Sequence, residues 1–104
     1  MSSGQAEFAK LTAAQTGESS VEAGQMFGKA CLKVGGKAFA AQQNDLLAFK
    51  LTGADHAAAL KEEGARLWDP SGAGRPMKEW VAIPATANGN FSRYCDAAKA
   101  YVKG

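Results

Sequence analysis

The stretch that decides the fold is Ala30-Cys31-Leu32-Lys33-Val34-Gly35-Gly36-Lys37-Ala38-Phe39-Ala40-Ala41-Gln42. Two runs compatible with strands flank a Gly-Gly pair, and glycine readily supplies the positive φ angles that a two-residue hairpin turn requires. The simplest register pairs Val34 with Lys37, Leu32 with Phe39 and Ala30 with Ala41. That register gives one apolar face and a second face carrying Cys31, Lys33, Ala38 and Ala40.

The reading extends in both directions from this hairpin. Leu46 to Leu51 forms a third strand, and a three-residue loop of Gln43, Asn44 and Asp45 would pair Leu47 with Ala41 and Phe49 with Phe39. A two-residue loop would turn both large side chains to the opposite face, because side-chain direction alternates along a strand. The three-residue loop is therefore expected, with Asn44 or Asp45 in the left-handed conformation. Upstream, Gly24 to Gly28 reads as a bend or bulge entering the sheet. Gly17 to Ser20 reads as a loop, and residues 4 to 16 as a helix whose narrow apolar stripe centres on Phe8 and Leu11.

Downstream, Thr52-Gly53-Ala54-Asp55 has the form of a capping box that opens a short helix running to about Glu63 and stopping at Gly64. Arg66 to Trp68 adds a short strand, residues 69 to 76 a turn-rich loop, and Met77 to Ile83 another strand closed by Pro84. From Phe91 onward, Phe91, Tyr94, Cys95, Ala98, Tyr101 and Val102 recur at spacings of three and four. They define an amphipathic helix capped by Asn90 and ended by Gly104. The expected fold is α+β, a two-layer sandwich with a mainly antiparallel sheet, in the order α-β(3)-α-β(2)-α.

At 104 residues, with 46% hydrophobic and 21% charged residues, the chain has the size and composition of one globular domain over residues 1 to 104. The start of the chain has no basic segment followed by an apolar run, and nowhere are there about 18 consecutive apolar residues. Secretion and membrane spanning are not expected. The two cysteines, Cys31 and Cys95, lack the spacing of a disulfide framework or a zinc knuckle and fit buried thiols in a reducing compartment. The net charge of +2 is uneven, with Lys29, Lys33, Lys37 and Lys50 set against Asp45 in the middle of the chain. A solvated basic face accounts for this better than nucleic-acid binding, which usually shows denser clustering.

Few residues carry chemistry. His56 is the only histidine, and its helical neighbours Thr52, Gly53, Ala59 and Leu60 supply neither a metal ligand set nor a triad. The glycine-rich loop fails both phosphate patterns at Met77, and it leads into a strand rather than a helix. Glu62 and Glu63 point different ways, so no acid and base pair can be read. No catalytic residue, metal site or cofactor is expected. Two surfaces remain. Lys50, Arg75, Met77, Lys78 and Trp80 combine cations, a thioether and an indole that could meet a ligand or a protein partner. Cys31, Ala38, Ala40 and Ala48 form a small-residue sheet face that a helix or a second subunit could cover, which makes a homodimer a candidate.

Taken together, Met26-Phe27-Gly28, Cys31-Leu32-Lys33-Val34, Gly36-Lys37-Ala38-Phe39-Ala40, Phe49-Lys50-Leu51 and Gly74-Arg75-Pro76-Met77-Lys78-Glu79-Trp80-Val81 with Pro84 resemble the N-terminal domain of the TfoX/Sxy family over about residues 5 to 103. The resemblance implies the same α-β(3)-α-β(2)-α order and a bacterial cytoplasmic protein. Full-length members regulate natural competence and carry a C-terminal domain, to which the resemblance over residues 5 to 103 does not extend. The resemblance supplies no catalytic residues. It implies a non-enzymatic interaction or regulatory module, with a small-molecule or anion binder as the alternative.

Overall fold

A computed structural model describes residues 3–17, 21–26, 28–71, 74, 76–85 and 91–103. The elements run α1 (Ser3–Gln15), β1 (Val21–Met26), β2 (Lys29–Val34), β3 (Lys37–Gln43), β4 (Leu46–Lys50), α2 (Gly53–Leu60), β5 (Arg66–Trp68), β6 (Met77–Pro84) and α3 (Phe91–Lys103). The fold is α+β, with one six-stranded sheet in the order β1-β2-β3-β4-β6-β5. Each neighbouring pair of strands is antiparallel. The observed order is α-β(4)-α-β(2)-α, one strand more than expected. The added strand is β1, in the region expected to be a bend. Its Glu22, Ala23 and Gln25 are exposed, so it lacks the apolar alternation that marks a half-buried strand. Pairing with β2 makes it a strand.

The Gly35-Gly36 turn forms as expected, with φ of 58° and 80°, and Val34 faces Lys37. Beyond it the expected register fails twice. The ladder shifts between Leu32 and Lys33, so Leu32 faces Ala40 and Cys31 faces Ala41, leaving Phe39 as the extra residue of a β-bulge. The following turn has two residues, Asn44 and Asp45, because Gln43 faces Leu46 and Phe49 faces Ala40. Each change moves the pairing by one residue, and together they cancel. Phe39 and Phe49 therefore still share one core, although they do not face each other. Asn44 takes the left-handed conformation, with φ of 53°.

All three helices pack on one face of this sheet. Phe8 and Leu11 of α1, Ala59 of α2, and Tyr94, Cys95 and Ala98 of α3 join Leu32, Phe39, Leu47, Phe49, Val81 and Ile83 in the main core. Several helix ends depend on tertiary contacts. The carboxylate of Asp45 accepts the Gly4 N–H at 3.3 Å and so serves the N-terminus of α1 from across the fold. Gly4 is required there, since a Cβ would collide with the Asn44 carbonyl oxygen. Gln15 Nε2 donates to Asp96 Oδ1 at 2.7 Å and ties α1 to α3.

The capping box at α2 does not form. Thr52 is extended with no side-chain cap. The helix ends at Leu60, short of Glu63, and Gly64 turns the chain with φ of 75°. Tyr101 stands at the rim of the helix layer, 37% exposed, and donates to the Glu79 carboxylate. The expected cap Asn90 and stop Gly104 lie outside the described residues.

Candidate interaction face

The face of the sheet opposite the helices holds a second, smaller core. Its floor is Cys31, Ala41, Ala48 and Ala82, each at most 1% exposed, and its roof includes Trp68 and Trp80, at 1% and 6%. The two indoles pack at a centroid distance of 5.2 Å, tilted by 49°. Small residues in the floor let these rings lie close to the backbone. Trp68 stands on the edge strand β5, yet its Nε1–H donates to Gln43 Oε1 on β3 at 2.9 Å, so it reaches inward past β6 and β4. Gln43 Nε2 in turn donates to the Pro70 carbonyl at 3.2 Å. One amide thus satisfies the buried indole donor and pins the segment after β5 over the sheet.

The small-residue face expected from the simple register is therefore only partly correct. Cys31 and Ala48 lie in this floor, and Ala38 is partly buried against it. Ala40 does not belong there. The bulge at Phe39 turns Ala40 to the helix side, where it is fully buried in the main core, and Ala41 takes its place. Among the described residues, Trp68, Trp80 and partly buried Met26, Leu46 and Met77 pack over the floor. Sequence reasoning missed Trp68, Gln43, Ala41 and Ala82. Only the lone indole in a short apolar strand pointed toward Trp68.

Among the expected ligand-surface residues, Trp80 belongs to this second core, and Met77 packs against it. Lys50 is half-buried and directly faces Trp80 across β4 and β6. Lys78 is exposed, and its carbonyl accepts the Nε2–H of His56 at 2.8 Å. The histidine thus pins α2 to the start of β6. Arg75 lies outside the described residues. Asp69 organises the loop before it, accepting Ser71 Oγ–H and Gly74 N–H, each at 2.8 Å. Local turn closure accounts for Gly74, whose φ is 79°.

Alternation and register also place Lys29, Lys33 and Arg66 on the face away from the helices, since they face or alternate with Met26, Cys31 and Ala82. With Lys50 they rim the second core, and Glu22, opposite Lys33 in the β1–β2 register, is the acidic residue among them. None of the four is within ion-pair distance of a carboxylate among the described residues. Half-buried Lys29, Lys33 and Lys50 fit aliphatic stems lying along apolar surface with the ammonium groups outward.

Both thiols are held protonated. Burial pushes the Cys31 thiol up, partly opposed by the Lys33 ammonium, and burial pushes Cys95 up to about 12. A thiolate is the reactive form of cysteine, so both are poor nucleophiles at neutral pH. Tyr94 is also pushed up to about 12, first by burial and then by its hydrogen bond to Glu62 at 2.7 Å. Among the described residues no three His, Cys, Asp or Glu side chains are grouped to hold a metal ion, and no helix is long and apolar enough to cross a membrane. A cleft of about 370 Å³ lies against Gln5, Gln42, Asn44 and Asp45, and another of about 290 Å³ against Val34, Gly35, Lys37, Val102 and Lys103. Both lie apart from Lys50, Met77, Lys78 and Trp80. No family model, no curated protein and no solved structure matches the chain.

Proposed function

We propose that the chain is a non-enzymatic interaction module that engages an acidic protein partner through the face of its sheet opposite the helices. The observation that carries this reading is the ring of Lys29, Lys33, Lys50 and Arg66 around a floor already closed by Trp68 and Trp80. Cations with no ion pair among the described residues favour a complementary acidic surface and speed its encounter. The indoles are packed inward, which leaves them poorly placed to stack on nucleic-acid bases. The resemblance to the TfoX/Sxy N-terminal domain supports a regulatory role for such a contact in a bacterial cytoplasm.

The test places a photo-cross-linking residue at position 50 and, as a control, at the exposed Lys61 beyond α2, in living cells. Position 50 should capture a distinct acidic protein that position 61 does not, and Lys29→Glu with Arg66→Glu should abolish that capture. Identical products from both positions, or capture that survives the charge reversal, would refute the reading. Association should also weaken as ionic strength rises, because exposed charges are screened over about 8 to 10 Å near physiological salt.

A further inference from the structure

The two edges of the sheet differ. β5 is a three-residue edge with a register shift, a form that resists pairing with another strand. β1 is the opposite case. All six of its residues pair with β2 without a shift, from Val21 facing Val34 to Met26 facing Lys29. It contains no proline and no lysine, and no described element lies along its outer side. A regular edge of this kind is a template for another strand.

The charges around β1 specify which strand. Gly24 faces Cys31, and in place of a side chain it leaves a notch over which Lys33 leans. A Cβ on Gly24 would sit 3.3 Å from Lys33 Cε and 3.6 Å from its Nζ. The ammonium therefore reaches toward the edge from the second strand. Glu22, exposed on the same face, stands opposite Lys33 of its own chain in the β1–β2 register, but Lys33 leans away over Gly24 and Glu22 has no ion pair with a described residue.

We infer that β1 pairs antiparallel with β1 of a second copy of this chain, across a two-fold axis at Ala23, so that Glu22 of each copy meets Lys33 of the other. A two-fold axis perpendicular to the sheet keeps both helix layers on one side, and directly opposed residues then share a face. Only pairings whose residue numbers sum to an even value satisfy this. Centring on Ala23 sets Glu22 opposite Gly24 of the second copy, in the notch beneath Lys33, and brings two small side chains together at the axis. Centring on Glu22 would oppose two carboxylates, and centring on Gly24 would set Glu22 against Met26. Of these three, only the Ala23 register is self-complementary in charge. The interface is isologous and closes as a dimer. It is a strand edge rather than a broad surface, so the dimer should be weak and concentration-dependent. The inference does not depend on the acidic partner proposed above, whose test leaves Glu22, Ala23 and Lys33 unchanged.

Sedimentation velocity over a wide concentration range tests it, with far-UV circular dichroism verifying folding. The wild type should dimerise reversibly, and Glu22→Lys or Lys33→Glu alone should raise the dimer dissociation constant by about tenfold or more, since each creates two like-charge contacts. An equimolar mixture of the two variants should recover association, because the heterodimer restores opposite charges at both contacts. A strictly monomeric wild type, single variants that associate like the wild type, or a mixture that stays monomeric would each overturn the inference. Ala23→Cys gives a second readout that needs no charge change: oxidation should yield a covalent dimer through position 23, and its absence would rule out the register.

Discussion

Replacing Trp68 with alanine tests whether the second core stabilises the chain or merely decorates its surface. The indole is 1% exposed, and a tryptophan buries about 150 to 250 Å². At about 25 cal/mol per Å² that corresponds to about 4 to 6 kcal/mol, an upper bound because the unfolded chain already buries part of it. The hydrogen bond to Gln43 at 2.9 Å adds about 1 kcal/mol. Gln43 is half-buried, so water can reach its freed oxygen and the penalty stays at the low end. Relaxation of Trp80 into the space offsets part of the loss, and Trp68→Ala should cost about 3 to 5 kcal/mol. Against a total stability of about 5 to 15 kcal/mol for a domain of this size, that is a large fraction. Urea denaturation followed by far-UV circular dichroism measures it without relying on the indole signal. Gln43→Ala should cost about 1 kcal/mol, and the double variant should show a coupling of about 0.5 to 1.5 kcal/mol. A loss below 1 kcal/mol for Trp68→Ala, or strict additivity with Gln43→Ala, would refute the second core as described.

Three further outcomes follow from local geometry. Ala40→Leu should destabilise by about 1 to 3 kcal/mol through overpacking of the main core, whereas Ala38→Leu at a partly buried site should cost less; equal effects in chemical denaturation would argue against the bulge at Phe39. Gly64→Ala should lose about 1 to 3 kcal/mol in the same assay, because φ is 75° and the new Cβ would lie 2.8 Å from Pro84 Cγ; a neutral result would refute the turn geometry. Alkaline stability should decline from pH 9 toward 12. Cys95 rises from 9.0 to about 12 and Tyr94 from 10.0 to about 12, so the folded chain keeps protons that the unfolded chain releases, and their stabilisation is complete below pH 9 and lost as pH climbs through that window. Denaturation midpoints across this range should fall less steeply for Cys95→Ala than for the wild type.

The residues themselves determined most of the architecture. A Gly-Gly pair between strand-like runs fixes a hairpin, apolar spacing from Phe91 fixes a helix with one buried side, and Pro84 ends its strand, all through local conformational preference. The lack of a readable catalytic set also came from local pattern, since His56 has no ligand or triad partner within helical reach. What local pattern could not supply was register. The bulge at Phe39 and the two-residue turn at Asn44 and Asp45 each displace the pairing by one residue, and because Phe39, Leu47 and Phe49 share one face with both changes or with neither, local pattern could not choose between the two. The bulge moved Ala40 out of the small-residue face and Ala41 into it. Tertiary packing also decided β1, which is a strand only because β2 pairs with it, and the positions of Trp68 and Gln43, which meet across strands 25 residues apart in sequence. Sequence periodicity records which side of an element faces inward. It does not record which distant element will be there, and on this chain the cationic rim and the exposed edge are both products of that second choice.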